Sequence, residues 1–129
     1  MDIEERAERA AELKQKYGYN CCQAVTAVLA DETGLSEEQL NHIAAGFAVG
    51  MGSMEATCGS LIGAVMIAGL KTEGRATVRA ANQISKNFAA RCGATICKEL
   101  KGRDTGTVLC ACENCVRNAV RAYGEVCQP

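Results

Sequence analysis

Cysteine is the residue type whose number and placement point to chemistry in this sequence. Nine of the 129 residues are Cys, and Cys21, Cys58, Cys97 and Cys112 fall at or close to the predicted starts of helices. Free amide groups and the positive end of the helix dipole in a first turn favour thiolate over thiol, and lower the pKa of a cysteine from about 8.5. Because a thiolate attacks disulfides and binds metals, these four residues are the candidate site.

Two local arrangements of cysteines leave the chemistry open. Cys112 and Cys115 are spaced i,i+3, which puts their Cβ atoms about 5 to 6 Å apart on one helical face, so they are able to form a disulfide or share one metal ion. No βαβ pattern surrounds them, and a thioredoxin domain is disfavoured. Zinc-ribbon and ferredoxin spacings are absent, whereas a cluster held by dispersed cysteines stays open. The neighbours Cys21 and Cys22 diverge on a helix, so separate partners are expected for them.

Other catalytic classes have little material in this sequence. His42, the single histidine, falls on the polar face of its helix and is predicted to be a surface residue, so neither a Ser/His/Asp triad nor a histidine-rich metal site is expected. Glu55 lies one turn before Cys58, where it is either a proton acceptor or a complement to the helix dipole. A net charge of -1 gives no electrostatic reason to expect nucleic acid as a partner.

The N-terminal residues and the apolar runs indicate where the chain resides. Met1 to Glu5 lack the basic and apolar regions of a signal peptide, so we predict a cytoplasmic protein, in which clustered cysteines are more often catalytic, redox-sensing or metal-binding than permanently paired. The longest uncharged run, 56–70, is shorter than the ~20 residues of a membrane span. It is predicted to be a buried helix, and no membrane span is expected.

The composition and the apolar periodicity predict an all-α, single-domain helical bundle of about five to six helices over residues 1–129. Strand-forming aromatic residues are scarce, at 4% of the chain, while Ala, Glu, Lys, Arg and Leu abound. Asn20 with Gln23 and Ser36 with Gln39 are predicted capping boxes. The predicted helices cover 2–17, 21–31, 37–48, about 58–70, 75–91 and 112–126, with a short helical turn at 96–100.

Three helices carry more specific predictions about packing. In the fourth, Gly59 and Gly63 lie side by side and let another backbone come close. In the fifth, the spacing predicts an inward stripe that includes Val78 and Phe88. In the third, Leu40 and Ile43 are predicted to face inwards.

Over roughly residues 17 to 123, the sequence resembles the small bacterial and archaeal redox-active proteins labelled by the cysteine pattern C_GCAxxG_C_C. The segments that carry the resemblance are 20–25 with Cys21, the glycine-rich stretch 47–52, 58–63 with Ser60 in place of the usual Ala, 88–100 with Cys97, and 112–119 with Cys112. The resemblance implies that Cys21, Cys58, Cys97 and Cys112 carry the family's activity. Five further cysteines are extra here: Cys22, Cys92, Cys110, Cys115 and Cys127.

Three functions follow as hypotheses. In the first, Cys21, Cys58, Cys97 and Cys112 carry out dithiol/disulfide exchange or electron transfer with a redox partner protein or a small thiol, as in a thiol-disulfide oxidoreductase; Cys58 is the favoured nucleophile and no cofactor is required. In the second, the same four thiolates, with Cys115 as an additional ligand, bind a transition metal or an iron–sulfur cluster. In the third, the chain is a non-catalytic interaction protein or homo-oligomer that uses Gly59 and Gly63 as its contact face.

Overall fold

Helices make up most of the computed structural model, which describes residues 1–128. They are α1 (Ile3–Lys16), α2 (Cys21–Val28), α3 (Glu37–Ala44), α4 (Gly59–Thr72), α5 (Thr77–Cys92), α6 (Cys97–Lys101) and α7 (Cys112–Cys127), with a 3-10 turn at Ala30–Glu32 and a π turn at Gly50–Met54. No strand occurs within these residues; Thr57 and Ile96 form an isolated antiparallel bridge. The prediction of a single all-α domain is confirmed. The turn predicted at 96–100 is a helix in its own right.

Capping boxes begin the first three helices. Asn20 accepts a hydrogen bond from the amide of Gln23, and the Gln23 side chain accepts one from the amide of Asn20; Ser36 and Gln39 repeat the arrangement at α3. Both boxes were predicted from the sequence. Asp2, which the apolar periodicity placed inside α1, is instead its N-cap. Each such cap contributes about 1 kcal/mol of stability.

The second and third helices are shorter than their sequence predicts. α2 ends at Val28 and passes into the 3-10 turn, and α3 ends at Ala44 rather than at residue 48. The next segment bends into the π turn, whose entry residue Val49 has a left-handed backbone with φ 52°. With only two turns available, α3 buries Leu40 and Ala44, while Ile43, predicted to face inwards, is 51% exposed.

The last helix, α7, is the central element of the bundle and packs against α1, α2, α4 and α5. Its Tyr123 is fully buried, and the phenol donates a 3.0 Å hydrogen bond to Glu32. α5 packs on α4 and α7 and buries Ile84, Phe88 and Cys92. The predicted stripe is thus correct for Phe88 and wrong for Val78, which lies in the first turn of the helix and is 85% exposed.

Backbone crowding at the start of α4 explains its glycines. A Cβ at Gly59 would lie 2.1 Å from the carbonyl oxygen of Phe47, and one at Gly63 would lie 3.1 Å from the carbonyl oxygen of Cys22. The prediction of close backbone approach is therefore confirmed, but the approaching segments belong to this chain. Both glycines are buried, so they are not free to form a contact face for a partner, as the third hypothesis required. None of the helices in residues 1–128 combines the length and apolarity that a membrane crossing needs.

The bridge between Thr57 and Ile96 ties the start of α4 to the start of α6. The amide of Cys58 donates a 2.8 Å hydrogen bond to the carbonyl of Thr95, and the amide of Cys97 donates a 3.0 Å bond to the carbonyl of Ala56. Cys58 and Cys97 are thus fixed side by side by their own backbones.

Replacing Gly59 by Ala is expected to lower the free energy of unfolding by about 2 to 3 kcal/mol, because the new methyl group overlaps the Phe47 carbonyl and backbone has to move. Gly34→Ala is the matched control: a Cβ there meets no atom within 4 Å, and the change is expected to be neutral or stabilising by less than about 1 kcal/mol. Guanidinium unfolding of the reduced variants, followed by circular dichroism, measures both. Equal midpoints for Gly59→Ala and the original chain would contradict the contact.

Candidate functional site

The four candidate cysteines line one small cavity. Cys21, Cys58, Cys97 and Cys112 surround it together with Cys110, Cys115, Lys101, Leu100, Val49, Gly50 and Gly59. Its volume of about 10 Å³ holds one water molecule at most. Cys21, Cys97 and Cys112 are the first residues of α2, α6 and α7, and Cys58 is the N-cap of α4. Four helix starts therefore meet at this point, and six cysteines border the space between them.

Cys21 and Cys112 form a hydrogen-bonded pair on the side of the cavity next to Lys101. The Cys21 thiol donates a hydrogen bond to the Cys112 sulfur, which lowers the pKa of Cys112 to about 5; burial opposes the shift, and the charges of Lys101 and Lys14 add to it. The pKa of Cys21 is raised, mainly because its thiol donates that bond and further because the residue is buried. Cys112 is partly exposed, whereas Cys21 is buried.

Cys58 lies deeper and has its own set of hydrogen bonds. The bond donated by Cys115 lowers the pKa of Cys58 to about 6 against the effect of burial, and the Ser60 hydroxyl and the first amides of α4 act in the same direction as Cys115. Its sulfur lies 2.9 Å from the Ser60 hydroxyl oxygen. The side chain is only 6% exposed, so the Cys58 sulfur is stabilised as a thiolate in a place that solvent hardly reaches.

Cys97 is the fourth candidate and behaves differently. It is 3% exposed, and its pKa is raised by burial and by the nearby Cys58 and Cys112 sulfurs. The expectation that a helix start lowers the pKa of all four cysteines is therefore wrong for Cys97 and Cys21. Burial at Cys97, and proton donation to a neighbouring sulfur at Cys21, outweigh the effect of the helix dipole, which is worth about 1 kcal/mol or less.

Glu55 does not take part in the site as a proton acceptor. Its carboxylate binds Lys98 Nζ at 2.9 Å and an Arg103 guanidinium nitrogen at 2.8 Å on the exposed surface. The hydrogen bond from Arg103, followed by that from Lys98, lowers the pKa of Glu55. A carboxylate held in two ion pairs is a poor base, so Glu55 ties α6 and the following loop to the start of α4.

Three of the cysteines without an assigned role lie together next to this cavity. The sulfurs of Cys92, Cys110 and Cys115 are all within 4.8 Å of one another, and the three residues are buried. Cys115 hydrogen-bonds to the Cys58 sulfur, so this group and Cys58 are in contact. The sequence-based metal hypothesis included Cys115 and Cys58 but neither Cys92 nor Cys110.

The remaining two cysteines lie apart from these groups. The Cys22 sulfur is 3.7 Å from the Met66 sulfur and fully buried, and burial is the main cause that raises the pKa of Cys22 to about 12. Cys127 ends α7, where burial raises the pKa of its thiol. Cys21 and Cys22 have separate partners, as expected, and none of the nine cysteines, all of which fall in residues 1–128, is in a disulfide.

A strained loop forms one wall of the cavity. Val49, Met51 and Met54 have left-handed backbones, with φ between 52° and 65°, a conformation that is unfavourable for a β-branched residue such as valine. Gly50 also has a positive φ, and a Cβ there would lie 2.7 Å from the Cys97 Cβ. The absence of a side chain at Gly50 lets this loop close directly over Cys97.

Sequence reasoning missed several polar residues that act on the sulfurs. Lys101 lies next to Cys112, and the Asn118 side-chain amide donates a 3.4 Å hydrogen bond to the Cys92 sulfur. Ser60 contacts Cys58. Asn118 lies three residues after Cys115, on the same face of α7, which is the one sequence signal that would have identified it. Lys101 carries no comparable signal, because it approaches Cys112 only through the fold.

No curated protein and no solved structure is similar enough to the chain to count as a match. One family does match: its description is "Putative redox-active protein (C_GCAxxG_C_C)", and the match covers residues 19–126, which is most of the chain and contains eight of its nine cysteines. The resemblance found in the sequence is thereby confirmed, and the chain belongs to the C_GCAxxG_C_C family.

Proposed function

We propose that this protein carries out thiol/disulfide exchange at the cavity lined by Cys21, Cys58, Cys97 and Cys112, with Cys112 as the attacking thiolate and Cys21 as the thiol that resolves the mixed disulfide. The observation that carries the proposal is that Cys21 and Cys112, the first residues of α2 and α7, border the same cavity, and that Cys112 is the one of the four candidates that is partly exposed. A reactive cysteine needs both access to its substrate and a neighbouring thiol, and this pair has both.

The surroundings of Cys112 support an attacking role. Its position as the first residue of α7 places it where unpaired amides concentrate, and the ammonium group of Lys101 lies beside its sulfur. Both features stabilise negative charge on sulfur. We therefore assign the attack to Cys112 rather than to Cys58, which the sequence favoured, because Cys58 is buried.

The proposed exchange takes two steps. The Cys112 thiolate attacks one sulfur of a substrate disulfide, forming a mixed disulfide and releasing the other substrate sulfur as a thiolate. Cys21 then loses its proton to solvent or to a released thiolate and attacks the Cys112 sulfur, which forms the Cys21–Cys112 disulfide and releases the second substrate thiolate. Two electrons pass to the substrate, and a dithiol protein or two molecules of a small thiol return them to the pair.

Cys58 and Cys97 have a supporting role in this proposal. Both border the same cavity, and Cys97 is close enough to the Cys58 and Cys112 sulfurs for their charges to raise its pKa. A disulfide formed at Cys112 is thus next to two further thiols, to which it is able to move by the same exchange chemistry. In this proposal Cys58 and Cys97 are the acceptors to which the disulfide moves from the Cys21–Cys112 pair.

The charges near Cys112 indicate the class of partner. Lys14 and Lys101 both lower the pKa of Cys112 by their positive charge, and neither forms an ion pair among the contacts of residues 1–128. They favour a disulfide substrate that carries carboxylates, whether a small thiol compound or an acidic protein segment.

Limited alkylation tests the accessibility on which this assignment depends. Under native, reducing conditions, iodoacetamide is expected to modify Cys112 and Cys127 first, at rates about tenfold or more above those of the seven buried cysteines, since access limits the reaction. Peptide mass mapping over time measures the order, and the same experiment in denaturant is the control, in which the differences should vanish. Early modification of Cys58 in the native protein would contradict the assignment.

Rapid mixing with an aromatic disulfide that releases a coloured thiolate tests the mechanism. All variants carry Cys127→Ser, which removes the other partly exposed thiol, and Cys58→Ser with Cys97→Ser, which remove the two cavity thiols able to resolve the mixed disulfide in place of Cys21. The parent is expected to release two equivalents in its fast phases, one for each step of the exchange. Cys21→Ser should release one equivalent and retain the mixed disulfide, which mass spectrometry detects on Cys112, and Cys112→Ser should lose the fast phases altogether.

Cys22→Ser is the matched control for these variants, because Cys22 is next to Cys21 in the sequence but its sulfur contacts Met66 instead of the pair. It is expected to release two equivalents like the parent. A fast phase that survives in Cys112→Ser, or two equivalents from Cys21→Ser, would rule out the proposed roles.

A further inference from the structure

The group formed by Cys92, Cys110 and Cys115 has no role in the proposed exchange, and its geometry suggests one of its own. We propose that these three cysteines bind a single thiophilic d10 cation such as Zn²⁺. The three sulfurs lie within 4.8 Å of one another in the interior of the protein, and all three are extra to the cysteines by which the chain resembles its family.

The distances between the sulfurs suit one ion. A Zn–S bond of about 2.3 Å with trigonal or tetrahedral ligands sets neighbouring sulfurs about 3.8 to 4.0 Å apart. Sulfurs already within 4.8 Å reach that spacing by side-chain rotations that move each atom by less than about 1 Å. Three thiolates give a trigonal site, or a tetrahedral site with one position left for a further ligand.

The backbone around these cysteines is already fixed. Cys92 is the last residue of α5 and Cys115 lies in the first turn of α7. Cys110 belongs to the segment between α6 and α7, where its amide and that of Leu109 both donate hydrogen bonds to the carbonyl of Leu100. The ligands thus come from separate parts of the chain that the fold holds together, so little ordering has to accompany binding.

The hydrogen bonds to the sulfurs complete the resemblance to a metal site. The Asn118 side-chain amide donates to the Cys92 sulfur at 3.4 Å, which is the kind of contact that orients a metal-binding thiolate and offsets its charge. Cys115 donates its proton to the Cys110 carbonyl at 3.5 Å, an interaction that metal binding would replace as the proton leaves.

The space and the ligand type select the kind of ion. Thiolates are soft ligands that favour Zn²⁺, Cu⁺ and related cations over Mg²⁺ or Ca²⁺. The cavity that Cys110 and Cys115 border has a free volume of only about 10 Å³. An iron–sulfur cluster needs several irons and their sulfides in the same space, so the single-ion form of the second hypothesis is favoured over the cluster.

Titration with Cd²⁺ tests this site, since cadmium–thiolate bonds absorb in the near ultraviolet in proportion to the number of bound sulfurs. The full-length reduced protein, freed of metal and kept anaerobic, is expected to bind one equivalent tightly, with an absorbance that corresponds to three thiolates. Competition with a chelator gives the affinity. A large excess of Zn²⁺ should displace Cd²⁺ and abolish the absorbance, and either ion should raise the melting temperature by binding only the folded state.

Variants separate this site from the exchange pair. Cys92→Ser and Cys115→Ser are each expected to weaken binding at least about 100-fold, whereas Cys58→Ser should leave the spectrum of three thiolates unchanged. Cys21→Ser and Cys112→Ser should bind as the original chain does. Binding that survives Cys92→Ser and Cys115→Ser but disappears with Cys21→Ser or Cys112→Ser would overturn the proposed ligands.

Alkylation of the original chain provides a test that does not depend on how the variants fold. One equivalent of Zn²⁺ should protect Cys92, Cys110 and Cys115 from a small alkylating reagent in mild denaturant, and should leave Cys112 reactive. Equal protection of all nine cysteines, or the absence of saturable binding at one equivalent, would refute the site. Neither result depends on whether Cys112 exchanges with disulfides.

Discussion

The backbone bridge between Thr57 and Ile96 is the contact on which the sulfur site depends. It fixes the N-cap of α4 beside the first residue of α6 through two hydrogen bonds that involve the amides of Cys58 and Cys97 themselves. The missing side chain of Gly59 lets the Phe47 carbonyl lie directly against the same turn. α7 then closes the site from the other side, because its first turn carries both Cys112 and Cys115. The convergence is thus a property of main-chain geometry, to which the thiols are attached.

Interactions between neighbouring sulfurs divide the thiols into two kinds. Cys21 lowers the pKa of Cys112 and Cys115 lowers the pKa of Cys58, while the pKa values of Cys21 and Cys115 themselves are raised. In a space with almost no water, this pairing replaces the solvation that an isolated thiolate would lose. It also explains why the Cys112-x-x-Cys115 motif does not act as one dithiol: although both sulfurs lie on one helix, the two belong to different pairs.

Features of this arrangement that depend on neighbouring residues could be predicted from the sequence. Contacts between distant segments could not, because they depend on how the helices pack. The capping boxes at Asn20 and Ser36, and the close approach at Gly59, follow from local chemistry, and they were predicted correctly. Interactions between distant segments were not: Glu55 was taken for a partner of Cys58 because it is one turn away in the sequence, whereas Lys98 and Arg103 reach it through the fold. The group of Cys92, Cys110 and Cys115 has no regular spacing, and only the packing of α5 against α7 reveals it.

The narrowness of the cavity limits how far its sulfurs can be oxidised. A thiolate becomes a sulfenic acid with one oxidant molecule, but the irreversible sulfinic and sulfonic acids require a second and a third to reach the same atom. A space of about 10 Å³ holds one water molecule at most, so every one of these oxidant molecules is kept from the buried sulfurs while the cavity stays closed. Cys58 and Cys97 are therefore shielded from permanent damage during oxidative stress, and the partly exposed Cys112 bears that risk.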